Sequence, residues 1–201
     1  MRSLLAVPRV VAAPAAAALL IAASPLSAQA ADIAAGEHKA QACAACHGPA
    51  GNSANPAVPS LAGQPAQFIT TQLVMFREGQ RKDAQMSPMA AGLSNADLNN
   101  MAAYFAAQKL AAPKHTTAAA NAQAGPGLAE RYNCTQCHGP ALMGQQHVPR
   151  LAGQQLEYLR TQLRGFKAST RFDMDGQMTS AAQSLSEADI AVLADYLAGL
   201  K

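Results

Sequence analysis

The sequence predicts an all-α chain built as two tandem small domains, residues 31–110 and 126–201, joined by a linker over 111–125 and preceded by an export signal over 1–30. Three observations predict it. An internal repeat runs through both halves, apolar residues recur at helical spacing within each repeat, and no segment sustains the two-residue alternation of β-branched side chains that a strand requires.

The first thirty residues begin with the basic Arg2 and Arg9, continue through an apolar, alanine-rich stretch from Val10 to Ala23, and end in the small residues of Ser27-Ala28-Gln29-Ala30. That order is the pattern of a cleavable secretory signal, with cleavage expected after Ala30. The apolar run is short and is broken by Pro14, which argues against a membrane anchor, since spanning takes about 20 apolar residues. Once Arg2 and Arg9 are gone, thirteen Lys and Arg face twelve Asp and Glu. No basic stripe remains to recognise nucleic acid, and a membrane surface is expected to be met at most peripherally.

The repeat is read directly. Gly36 stands seven residues before Cys43, as Gly127 does before Cys134. Val58-Pro59-Ser60-Leu61-Ala62-Gly63-Gln64 returns as Val148-Pro149-Arg150-Leu151-Ala152-Gly153-Gln154. Phe68, Gln72, Leu73, Phe76 and Arg81 recur ninety residues later as Tyr158, Gln162, Leu163, Phe166 and Arg171. After a two-residue insertion, Met86, Leu93, Ser94, Asp97 and Tyr104 match Met178, Leu185, Ser186, Asp189 and Tyr196. Between the halves, residues 111–125 are rich in Ala, Thr and Pro with little apolar pattern, the composition of a linker.

Each repeat reads as three helical parts. A short helix runs into the cysteine motif, and a middle helix opens near Pro65 or Gln155, with Phe68, Ile69, Leu73 and Phe76, or Tyr158, Leu159, Leu163 and Phe166, facing inward. Capping-box starts at Ser94/Asp97 and Ser186/Asp189 open the last helices.

All four cysteines fall in two copies of CxxCH, Cys43-Ala44-Ala45-Cys46-His47 and Cys134-Thr135-Gln136-Cys137-His138. One CxxC could be a disulfide, a thioredoxin-like redox centre or half a zinc site. Two copies, each followed at once by histidine in a helical chain, point instead to two covalently attached c-type haems. The thiols add to the porphyrin vinyl groups, and His47 and His138 each present imidazole to an iron. Domains of about 80 residues have little core of their own, so a buried macrocycle would supply part of it, which accommodates 4% aromatic content and no tryptophan.

The sixth ligand decides between electron transfer and catalysis, because methionine closes the iron to substrates and raises its potential. Met75 and Met101 sit at helical core positions. Met86 and Met178 each lie seven residues before a Leu-Ser pair, in loops of small and polar residues, and are the expected ligands, with Met89 and Met174 as the alternatives. His38, His115 and His147 are expected to be solvated, His147 being the one closest to a candidate haem loop. No Ser/His/Asp set, paired acid motif or phosphate loop appears.

Together, both CxxCH motifs followed by Gly48 and Gly139, the two VPxLAGQ segments, Met86-Ser87-Pro88-Met89 and the LSxxD helix starts resemble the dihaem class I cytochromes of the cytochrome c4 family, over residues 33–201. The resemblance implies two cytochrome c folds related by an approximate twofold axis, with haem propionate edges close across the interface and His/Met ligation by His47 with Met86 and His138 with Met178. It also implies that the carbonyls of Pro59 and Pro149 accept a hydrogen bond from the ligand histidines, that Arg81 and Arg171 contact propionates, and that Gly36 with Tyr104 and Gly127 with Tyr196 mark close helix crossings. The expected role is a periplasmic carrier cycling Fe(II)/Fe(III) between a donor such as a quinol-cytochrome c reductase and a terminal oxidase. A cytochrome subunit of a larger dehydrogenase, such as a sulfide-oxidising flavocytochrome, and a dihaem peroxidase stand as alternatives.

Overall fold

The computed structural model of the protein describes residues 30–201, so the expected export signal lies outside the described residues apart from Ala30. Among the described residues there is no strand, and no helix is long and apolar enough to cross a membrane. The first half runs α1 (Ile33–Ala40), a 3-10 turn at Gln41–Cys43, α2 (Ala44–His47), α3 (Ala66–Arg77), α4 (Met86–Ala91) and α5 (Asn95–Ala107). The second repeats the order with α6 (Ala119–Arg131), α7 (Cys134–His138), α8 (Leu156–Lys167), α9 (Gln177–Ala182) and α10 (Glu187–Gly199).

The helix starts follow from local chemistry. Ser94 and Ser186 accept the amide hydrogens of Asp97 and Asp189, whose carboxylates accept the serine N–H in return, so α5 and α10 both open with complete capping boxes. Each half then packs its first, middle and last helices around its own core. Ile69, Met101, Ala102 and Phe105 form one, and Leu159, Phe166, Ile190, Leu193 and Leu197 the other.

Two expectations need correction. Helix α6 begins at Ala119, so seven residues of the expected linker are helical, and the non-helical connection covers 108–118. Its last part is fastened to α10: the buried Asp195 carboxylate accepts from Ala118 N (3.0 Å), Asn121 Nδ2 (2.9 Å) and His115 Nε2 (2.7 Å). His115 is therefore a partner of Asp195 rather than a solvated linker residue. Second, the glycine that meets Tyr196 is Gly125, where a Cβ would lie 2.2 Å from Tyr196 Cγ, while Gly127 has nothing within 4 Å. In the first half Gly36 lies against the Asn100 backbone, where a Cβ would come within 2.1 Å of the carbonyl oxygen, one helical turn before Tyr104.

The two halves meet through the duplicated VPxLAGQ segments. Gln154 accepts from Ser60 N (2.8 Å) and donates to Ser60 O (2.9 Å). Reciprocally, Gln64 accepts from Arg150 N (2.9 Å) and donates to Arg150 O (3.0 Å). All four residues are buried, so one side chain of each half completes the backbone hydrogen bonding of the other.

Candidate haem sites

Each CxxCH is helical and ends on its histidine: Cys43 closes a 3-10 turn that runs into α2 (Ala44–His47), while Cys134–His138 form the single turn α7. Gly48 (φ 77°) and Gly139 (φ 81°) stop these turns in the left-handed region, and at Gly48 a Cβ would sit 2.1 Å from Asn52 O, so the chain can leave only through glycine. Cys46 and Cys137 are exposed, Cys43 and Cys134 half-buried, and none of the four is tied up in a disulfide. Burial raises the thiols of Cys43 and Cys134 above their ordinary value.

Both histidines are buried, and both are oriented by the loop that follows. His47 Nδ1 lies 2.8 Å from Pro59 O, and His138 Nδ1 lies 2.7 Å from Pro149 O. A carbonyl can only accept, so Nδ1 carries the proton and Nε2 is left as the coordinating nitrogen. Burial lowers both imidazoles below their ordinary value against the opposing pull of those hydrogen bonds, which keeps them in the neutral form that binds metal.

Met86 and Met178 are both half-buried near the starts of the equivalent helices α4 and α9, rather than in loops. Met89 is 51% exposed and Met174 64%. Met75 and Met101 are buried in the first-half core region. An aspartate anchors each candidate backbone: Asp83 Oδ1 accepts from Met86 N (2.9 Å), and Asp173 Oδ2 accepts from Met178 N (2.9 Å). Asp173 also takes the Thr179 amide (2.9 Å). Burial pushes Asp173 upward, but the hydrogen bonds from Thr179, Asp175 and Met178 win and hold it at about 2. Of the other histidines, His38 is exposed and His147 sits at the surface 3.3 Å from Asp175.

Between the halves lies a cluster of cations. Arg81 stacks on Phe76 (4.5 Å to the ring centroid) and Arg171 on Phe166 (4.4 Å). Arg81 donates to Gln72 in its own half and to Gln162 (3.0 Å) in the other, while Arg171 donates to Gln162 and, more weakly, to Gln72 (3.4 Å). The Tyr158 hydroxyl, near both guanidiniums, is raised by burial but pulled below its ordinary value overall by the two positive charges. Arg150, which replaces the Ser60 of the first half, is 1% exposed and donates to Ala62 O (3.1 Å) across the interface and to Ala152 O. Burial lowers it to about 10, still charged at neutral pH. Arg150 and its clamp were missed in the sequence because an arginine in a loop reads as surface.

Among the described residues no carboxylate lies within 4.0 Å of these three guanidiniums, and the buried Nε atoms of Arg150 and Arg171 have no partner. Uncompensated cations, paired thiols and neutral, Nδ1-bonded histidines together match the chemistry of a macrocycle that carries vinyl groups, iron and anionic propionates.

An all-helical chain with two helix-borne CxxCH turns, each histidine held by a proline carbonyl, defines a c-type cytochrome with two covalently bound haems. The family model "Cytochrome c" matches residues 122–201, and "Cytochrome C oxidase, cbb3-type, subunit III" matches residues 30–105. Cytochrome c4 of Pseudomonas aeruginosa is 38% identical over 179 residues, covering 84% of this chain and 89% of its own. A thiosulfate dehydrogenase electron acceptor of Thiomonas intermedia is 37% identical, covering 80% and 79%. The crystal structure of reduced recombinant cytochrome c4 from Pseudomonas stutzeri matches with a TM-score of 0.79 at 35% identity, covering 86% of this chain and 100% of that one. The chain belongs to the cytochrome c4 family and is an electron-transfer cytochrome.

Proposed function

We propose that the protein is an exported, periplasmic carrier that takes one electron per haem from a respiratory donor, such as a quinol-cytochrome c reductase, and passes it to a terminal oxidase. The ligand pairs in this reading are His47 with Met86 and His138 with Met178. Cys43, Cys46, Cys134 and Cys137 anchor the haems, and Arg81 and Arg171 meet the propionates. The observation that carries it is the matched, half-buried placement of Met86 and Met178 on α4 and α9, against the exposure of Met89 and Met174. When bound, the haem supplies reversible one-electron chemistry at iron. The chain's part is to bury both histidines, hold each Nδ1 proton on a proline carbonyl, and fix the methionine backbones on Asp83 and Asp173.

Two His/Met haems show the weak far-red charge-transfer band of methionine bound to Fe(III). Met86→Ala is expected to remove about half of that band, on the strength of one methionine per haem. A band at full intensity in Met86→Ala would overturn the first-half assignment. A second reading, a cytochrome subunit serving a dehydrogenase, draws support from the similarity to a thiosulfate dehydrogenase electron acceptor. It predicts co-purification with that enzyme and reduction of the haems by its substrate in the mixture.

A further inference from the structure

The hydrogen bond to each histidine and the hydrogen bond across the interface end on the same peptide group. Pro59 O, which accepts from His47 Nδ1 (2.8 Å), and Ser60 N, which donates to Gln154 Oε1 (2.8 Å), are the two poles of the Pro59–Ser60 peptide unit. The second half repeats it. Pro149 O accepts from His138 Nδ1 (2.7 Å), and Arg150 N donates to Gln64 Oε1 (2.9 Å).

A peptide group is a conjugated dipole, so an acceptor on its N–H polarises the carbonyl and strengthens it as an acceptor in turn. Ser60, Gln154, Arg150, Gln64 and both histidines are buried, and the low local dielectric preserves this polarisation. A stronger acceptor at Nδ1 gives the imidazole more anionic character and makes it a better donor to iron, which favours Fe(III) over Fe(II).

We propose that Gln154 tunes the haem of the first half and Gln64 the haem of the second, each through one peptide unit and the ligand histidine of the opposite domain. The inference rests on His47 and His138 being the iron ligands. Gln64 and Gln154 are positioning residues, acting on the histidines through the peptide group that each one holds. The reciprocal arrangement ties the electron affinity of each haem to docking of the other domain.

The test is a potentiometric titration of the full-length, haem-loaded protein, with the two waves assigned by Met86→Ala and Met178→Ala, each of which lowers the potential of its own haem. Gln154→Ala is expected to raise the first-half potential by about threefold in the Fe(II)/Fe(III) equilibrium, close to half of the ~59 mV that a tenfold change represents for one electron. Gln64→Ala raises the second-half potential by a similar factor. The crosswise pattern and the upward sign are both diagnostic, because mere loosening of the interface would admit water and lower the potential by stabilising the extra charge of Fe(III). A shift in the domain that carries the mutation, a downward shift, or no shift overturns the proposal. Should Gln154→Ala lose haem, Gln154→Glu keeps an acceptor oxygen on Ser60 N and is expected to lower the first-half potential, and an unchanged or raised value overturns it. If instead neither methionine variant moves either wave, the ligand reading fails rather than this one.

Discussion

Replacing Gln154 with alanine removes its hydrogen bonds to Ser60 N, Ser60 O and Gln155 N at once and leaves the buried Ser60 N and Ser60 O without partners. Ser60 and Gln154 are each 4% exposed, so water does not readily take the vacated positions. An orphaned buried donor or acceptor costs about 1–3 kcal/mol, and the loss for the two Ser60 groups is therefore about 2–6 kcal/mol, with about 3 kcal/mol as the central expectation. For a protein of this size one kcal/mol lowers Tm by about 2–4 °C, which places Gln154→Ala about 6–12 °C below the parent. Differential scanning calorimetry of the haem-loaded protein reads this directly. Gln64→Ala removes the symmetric pair on Arg150 and is expected to cost a similar amount. Because both side chains close one interface, the double variant is expected to lose at least about 1 kcal/mol less than the two losses combined. A Gln154→Ala cost below about 0.5 kcal/mol, or full additivity in the double variant, would refute a shared buried clamp.

Three further outcomes follow from particular contacts. Asp195→Asn weakens the hold on His115, Ala118 and Asn121 and is expected to cost about 2 kcal/mol at neutral pH in urea denaturation. Burial raises the Asp195 carboxyl, but its hydrogen bonds to Asn121, Ala118 and His115 leave it below its ordinary 3.8, so its contribution is present above that value. That contribution disappears as pH falls through the lowered folded value, and the gap between parent and variant must close with it. Gly125→Ala drives a methyl into Tyr196 and is expected to cost about 1–3 kcal/mol, whereas Gly127→Ala meets nothing and is expected to gain about 0.5 kcal/mol in thermal melts. Asp173→Ala frees the Met178 and Thr179 amides, so imidazole is expected to displace the second-half methionine at about tenfold lower concentration, followed by loss of the far-red band.

The duplication explains what could be read from the chain and what could not. Capping boxes, CxxCH turns and middle helices are local, and each is specified within a few residues, so both copies announce them. The family resemblance pointed to Pro59 and Pro149 as partners of the histidines, and the structure places both carbonyls on Nδ1. The start of α6 was hidden by Gly125-Pro126-Gly127, whose composition reads as a breaker although Gly125 is there to let Tyr196 approach. Counting back seven residues from Cys134 then selected Gly127, because the second half enters its CxxCH through a left-handed Asn133 where the first uses a 3-10 turn. The interface partners could not be read at all. Gln64 and Gln154 recur because the segment recurs, and only the packing of one copy against the other shows that each serves its neighbour.

The same interface offers a physical route by which haem attachment and domain docking would favour one another. Arg81 and Arg171 share the amide oxygens of Gln72 and Gln162, so two positive charges converge there, and Arg150 is sealed between Ala62 and Ala152, all three with no carboxylate within ion-pairing distance among the described residues. Without haem this arrangement is self-repelling, and desolvation adds to its cost. Two haems bring four propionates, and the reading in which Arg81 and Arg171 meet them turns the repulsion into attraction across the domain boundary. Held covalently in its own half, each haem would favour docking only through the contacts its propionates make across the boundary, which exist in the docked form alone. In this reading the cations that repel one another alone draw the haem-loaded halves together, and it is in that docked arrangement that Gln64 and Gln154 hold the histidine-supporting peptides.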